Sequence, residues 1–97
     1  MSELDKIKHA LRQNRSALKR QFKVKALGVF GSYVRGKQKK NSDVDILVEF
    51  SQTPGLFDYV RTENHLSSIL KKRVDLVMKG SLKPTIGKYV MREVVYV

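Results

Sequence analysis

Three aspartates stand where chemistry is possible: Asp43 and Asp45 in NSDVDILVEF, and Asp75 in RVDLVM. Polar and apolar residues alternate with period two from Asp43 to Phe50, the pattern of a strand with one buried face. Val44, Ile46, Val48 and Phe50 share that face, while Asp43 and Asp45 share the other with Cα atoms roughly 6 to 7 Å apart. In Arg73 to Met78 the same alternation sets Val74, Leu76 and Met78 against Asp75 and Val77. If these strands pair side by side, three carboxylates converge. Such oxygen donors suit Mg2+, a hard cation that takes a few carboxylates and completes its shell with water and substrate phosphates. Gathered like charges repel without a cation, so an ordinary soluble domain has little reason to collect them.

The phosphate partner of such an ion has its own signal upstream. Ala26 to Phe30 is a short apolar run that ends at Gly31-Ser32, which reads as a buried strand breaking into a tight turn. Gly31 lets backbone amides approach a ligand closely, and Ser32 adds a hydroxyl at the start of a short helix ending near Gly36. Arg35, or one of Lys37, Lys39 and Lys40, is placed to neutralise a triphosphate or a departing pyrophosphate. A phosphate cradle beside an acidic cation site implies a metal-bound nucleoside triphosphate.

Gly31-Ser32, Arg35-Gly36, Ser42-Asp43, Asp45 and Asp75 in this order resemble the minimal nucleotidyltransferases, the smallest members of the DNA polymerase β-like superfamily. The resemblance covers nearly the whole chain; Val34 departs from it, since the family usually has a small residue after the aromatic. It implies the polymerase β-like nucleotidyltransferase fold, with Asp43, Asp45 and Asp75 holding two Mg2+ ions and Gly31 and Ser32 holding the triphosphate of ATP. It implies in-line attack of an acceptor hydroxyl on the α-phosphorus, with Asp75 positioning or deprotonating that hydroxyl. It further implies a partner, a helical HEPN-type toxin, which some members of the family neutralise by transferring AMP to one of its tyrosines.

The remaining chain supplies elements to position these residues. Leu4, Ile7, Leu11, Leu18 and Phe22 recur at helical spacing and predict one amphipathic helix over residues 3 to 21, with Ser2 to Asp5 as its capping box. Ser51 to Gly55 is a loop, and Leu56 to Leu70 a second helix closed by the cations Lys71, Lys72 and Arg73. Asp58, Glu63, His9 and His65 read as surface residues of these helices. A last helix spans Lys83 to Glu93 with Pro84 in its first turn, and Val94 to Val97 adds an edge strand or covers the core. The sum is an α+β fold, a small mixed sheet packed with helices, in a single domain over residues 1 to 97.

Composition narrows the function classes. With no cysteine, disulfides and thiolate metal sites are excluded. No apolar run approaches the length of a membrane span and the first residues do not read as a signal peptide, so a cytoplasmic protein is expected. Twenty Lys and Arg against nine Asp and Glu give a formal charge of +11, which draws polyanions of any kind: nucleotide, nucleic acid or acidic protein. Two rivals to transfer therefore stand beside it, an antitoxin that acts by binding alone and a basic nucleic-acid-binding module. No helix-turn-helix or aromatic RNA-binding signature supports the second.

Overall fold

The computed structural model describes residues 2–97; Met1, where the expected domain begins, lies outside the described residues. Four strands form one mixed sheet in the order β3-β2-β1-β4: β1 Val24–Phe30, β2 Val44–Phe50, β3 Val74–Met78 and β4 Val95–Tyr96. β2 and β3 run parallel, whereas β1 is antiparallel to both β2 and β4. The helices are α1 Glu3–Gln13, α2 Arg15–Phe22, α3 Ser32–Arg35, α4 Leu56–Leu70 and α5 Pro84–Glu93, with a single 3-10 turn at Lys79–Ser81. Among the described residues no helix is long and apolar enough to cross a membrane.

The alternation seen in the sequence becomes the two faces of this sheet. Leu27 and Val29, Val44, Ile46 and Val48, and Val74 and Leu76 turn to one face and are almost fully buried with Ile7 and Leu11 of α1, Leu18 of α2 and Leu66 of α4. The strand register puts Phe30 opposite Asp45, and Asp45 opposite Asp75, on the second face. That face is not wholly open: Leu47 lies on it and is 1% exposed.

The expected single first helix is two. Asn14 interrupts it, because its side-chain Nδ2 donates to the Ala10 carbonyl at 2.8 Å and so competes with the backbone ladder. Leu18 N–H still donates to the Asn14 carbonyl at 2.9 Å, and both halves keep apolar residues on the core. Ser2 caps α1 by accepting from the Asp5 N–H at 3.1 Å. Pro84 opens α5, where its missing N–H costs little.

The tail pairs as an edge strand only because position 28 is glycine. A Cβ at Gly28 would lie 2.7 Å from Val94 Cγ2 and 3.0 Å from the Val95 carbonyl oxygen. Gly28→Ala is therefore expected to destabilise the fold by about 1–3 kcal/mol through overpacking. Thermal denaturation should show the loss. The Val97 amide, which donates to the Leu27 carbonyl at 3.0 Å, should exchange faster with solvent. Unchanged melting and exchange would show that β4 is not held this way.

Candidate active site

Asp45 and Asp75 are neighbours across the parallel β2–β3 pair, directly in register. Adjacent strands lie about 4.8 Å apart, so the two carboxylates emerge side by side on the second face. Asp75 is exposed and Asp45 half-buried. Asp43 precedes β2; its Oδ1 accepts from Arg73 Nε at 3.1 Å, and its charge also acts on Asp45. Among the described residues no group of three carboxylates, imidazoles or thiolates is arranged to hold one metal ion. Of the three expected carboxylates, Asp45 and Asp75 are in register across β2–β3, and Asp43 acts on Asp45 while paired with Arg73.

The Gly-Ser turn meets this pair from the next strand. Gly31 follows β1 and precedes α3 with φ +81 and ψ −152, a conformation that side chains disfavour. Its missing side chain leaves the space that the Asp45 carboxylate fills: a Cβ at Gly31 would lie 2.9 Å from Asp45 Cγ. Ser32, half-buried, starts the one-turn helix α3, whose Val34 N–H donates to the Gly31 carbonyl at 3.1 Å. Val34 packs against the core without disrupting that turn, and Tyr33 is buried in it, 5% exposed. The Tyr33 hydroxyl donates to the Ser42 carbonyl at 3.5 Å, while Ser42 Oγ accepts the Lys39 N–H at 2.7 Å. The basic loop is thereby tied down just before Asp43.

Arg35, read from the sequence as a phosphate contact, donates from Nη1 to Glu93 Oε1 at 2.8 Å. Glu93 comes from the far end of the chain and gave no signal in the sequence. Both groups act on Asp45, whose carboxyl is pushed from 3.8 up to about 6. Burial is the largest cause, followed by the charges of Asp75 and Asp43; Arg35 opposes them and Glu93 adds to them. Hard oxygen donors held together with their repulsion only partly compensated fit a divalent cation, which needs only one or two carboxylates plus substrate phosphates.

Two residues of α4 also differ from expectation. Glu63 is a half-buried acceptor, its Oε2 receiving the Leu76 N–H of β3 at 2.9 Å. His65 stacks on Phe22 with ring centroids 4.7 Å apart, and Arg61 lies over the other partner ring, 5.5 Å from the Phe22 centroid. The Tyr59 hydroxyl is held above its ordinary value by burial first, then by the charges of Glu63 and Asp75. Helical periodicity marks which way a residue faces its own helix, and it carries no record of the strand edge that Tyr59 and Glu63 meet.

Comparisons with known proteins agree with this architecture. Residues 11–97 match the family described as the nucleotidyltransferase domain. The protein adenylyltransferase MntA of Thermococcus cleftensis is 50% identical over 97 residues, 100% of this chain and 98% of that protein. A crystal structure of a toxin-antitoxin with AMP-PNP is similar with TM-score 0.71 and 29% identity, over 87% of this chain and 69% of that one. The structure of a tri-AMPylated Shewanella oneidensis HEPN toxin in complex with MNT antitoxin is similar with TM-score 0.60 and 26% identity, over 97% and 67% of the respective chains. Fold and sequence define the class, an enzyme that transfers nucleotidyl groups. This chain belongs to the nucleotidyltransferase domain family.

The raised Asp45 value has a consequence for stability. Between about 4 and 6 the folded protein holds this proton more tightly than the unfolded chain does, so stability falls as pH rises through that window. Asp45→Asn removes the penalty. In metal-free protein at pH 7.5, a pH on the charged side of about 6, it should melt higher than wild type. The gain should be about 1 kcal/mol once solvent screening is discounted, or roughly 4–8 °C in Tm. The difference should vanish at about pH 3, below the ordinary value of 3.8, where Asp45 is mostly protonated in both states. An equal difference at both pH values would show that like-charge crowding and burial at Asp45 are not its origin.

Proposed function

We propose that this chain is the antitoxin of a HEPN-type toxin and neutralises it by transferring AMP from Mg-ATP to a hydroxyl of that partner, a tyrosine. The observation that carries this reading is the register of Asp45 with Asp75 immediately beside the Gly31 turn. The relatives add to it, one a protein adenylyltransferase and another an antitoxin in complex with an AMPylated toxin.

In this reading Asp45 and Asp75 would hold Mg2+, with Asp43 the third carboxylate at hand. Such an ion would supply stabilisation of the charge on the entering and leaving oxygens of phosphoryl transfer. Gly31 offers its backbone amide and Ser32 its hydroxyl to the triphosphate, and Arg35 exchanges Glu93 for phosphate oxygens. Asp75, the exposed member of the pair, orients the acceptor hydroxyl and takes its proton. The acceptor oxygen bonds to the α-phosphorus as the bond to the bridging oxygen breaks, and pyrophosphate leaves. Asp75 is exposed to solvent, so an acceptor hydroxyl presented by another protein can reach it. The reaction is placed in the cytoplasm, where ATP is supplied.

A second reading, neutralisation by binding alone, is favoured by a different observation. Leu56 and Phe57 at the start of α4 are 75% and 84% exposed, and Ile86 and Tyr89 of α5 are also exposed, apolar side chains that a helical partner could cover. One experiment separates the two. Coexpressed partner is examined by mass spectrometry for added AMP on tyrosine, with wild-type chain and with the double variant Asp43→Asn, Asp45→Asn. Transfer predicts modified partner with the wild type, and a loss on the order of a thousand-fold in turnover with the double variant. A double variant that neutralises the partner as well as the wild type does would establish binding alone.

A further inference from the structure

Among the described residues β3 is the last strand of the sheet, so its outer edge has no neighbouring strand to take up its backbone groups. Three side chains of α4, spaced four residues apart and therefore on one side of the helix, stand in for that strand. Tyr59 donates its hydroxyl hydrogen to the Leu76 carbonyl, Glu63 Oε2 accepts the Leu76 N–H at 2.9 Å, and Ser67 Oγ accepts the Val74 N–H at 3.2 Å. Alternate residues of a strand direct their backbone groups to opposite edges. Arg73 faces β2, where its carbonyl accepts the Val44 N–H at 2.9 Å, and Asp75 shares that parity. Val74 and Leu76, the two neighbours of Asp75, face α4 and are each held by it.

We propose that Glu63, assisted by Tyr59, is a positioning residue for Asp75, fixing the backbone on which that carboxylate is mounted so that it stays beside Asp45. The inference rests on the reading above in which Asp75 serves the transfer reaction. It answers a physical need: Asp45 and Asp75 carry like charge on adjacent strands, and their repulsion pushes an edge strand outward, where no further strand resists it. A partly buried backbone amide left without an acceptor costs free energy, so an oxygen fixed at that edge holds the strand in place. Glu63 supplies that acceptor, and the aliphatic face of the same strand, through Val74 and Leu76, keeps it on the core. Misplacing a reacting group by about 1 Å costs on the order of a hundred-fold in rate, so a strand edge held by side chains bears directly on turnover.

Glu63→Leu removes the acceptor and keeps an apolar stem; Glu63→Gln keeps an oxygen that accepts the same N–H. In metal-free protein, hydrogen exchange of the Leu76 amide should accelerate about ten-fold or more in Glu63→Leu and stay near wild type in Glu63→Gln. In the transfer reaction with Mg2+, ATP and the coexpressed partner, Glu63→Leu should lose on the order of 10- to 100-fold in kcat. Its KM for ATP should stay within about two-fold, because the triphosphate is held from β1 and α3. Glu63→Gln should restore most of kcat. Wild-type kcat in Glu63→Leu, or a Glu63→Gln as impaired as Glu63→Leu, overturns the proposal. Should Glu63→Leu fail to fold, Tyr59→Phe, which removes one hydroxyl, should lower kcat at constant KM, and wild-type kcat there overturns it equally. Absence of transfer by the wild type, or full transfer by Asp75→Asn, would sink the underlying reading instead; the exchange measurement still decides whether Glu63 holds the strand.

Discussion

Two negative charges carried on adjacent parallel strands, one strand spacing apart, are the constraint around which this molecule is built. Nothing in local propensity favours that arrangement, and electrostatics opposes it. It persists because the opposite face of the same strands is bound into the core: Val44 and Ile46 of β2 and Val74 and Leu76 of β3 are buried against α1, α2 and α4. Apolar burial at roughly 25 cal/mol per Å2 acts on every one of these side chains, whereas the repulsion acts between a few partly solvated charges. The fold therefore holds, and the second face stores a demand for positive charge.

That demand is met piecemeal within the chain. Arg73 turns to Asp43, and Arg35, though within reach of Asp45, is bonded to Glu93. These exposed or half-exposed pairs are individually weak, and a polyvalent ligand competes with them easily. The excess of +11 is spread over lysines and arginines around the molecule and steers anions toward it, without cancelling the local negative charge at the carboxylates. A protein can thus be strongly basic overall and still be acidic at the one face where its chemistry is expected.

The economy of the chain shows in α4. Its apolar residue Leu66 closes the core, and its polar residues Tyr59, Glu63 and Ser67 finish the open edge of β3. Here a helix both packs the sheet and pairs its edge, so a chain of 97 residues can carry a site whose geometry is fixed from both sides. Gly31 contributes by subtraction on the other flank, since the space its side chain would fill belongs to Asp45.

The period-two pattern of Asp43 to Phe50 and of Val74 to Met78 already assigned each residue to a face, because side chains alternate strictly along a strand whatever it packs against. Gly31-Ser32 and Pro84 likewise read correctly, since φ restrictions belong to the residue itself. Local pattern misled at Asn14, whose short amide competes for a backbone carbonyl and divides one apolar stripe between two helices. It was silent on the rest. That Asp45 stands opposite Asp75, that Asp43 turns to Arg73, and that Glu93 reaches Arg35 across fifty-eight positions of chain all depend on which strands and helices become neighbours. The sequence alone determined facing and local geometry, because these are properties of a few consecutive dihedral angles. Only the tertiary structure decided adjacency, because it is set by how all the buried faces pack together at once.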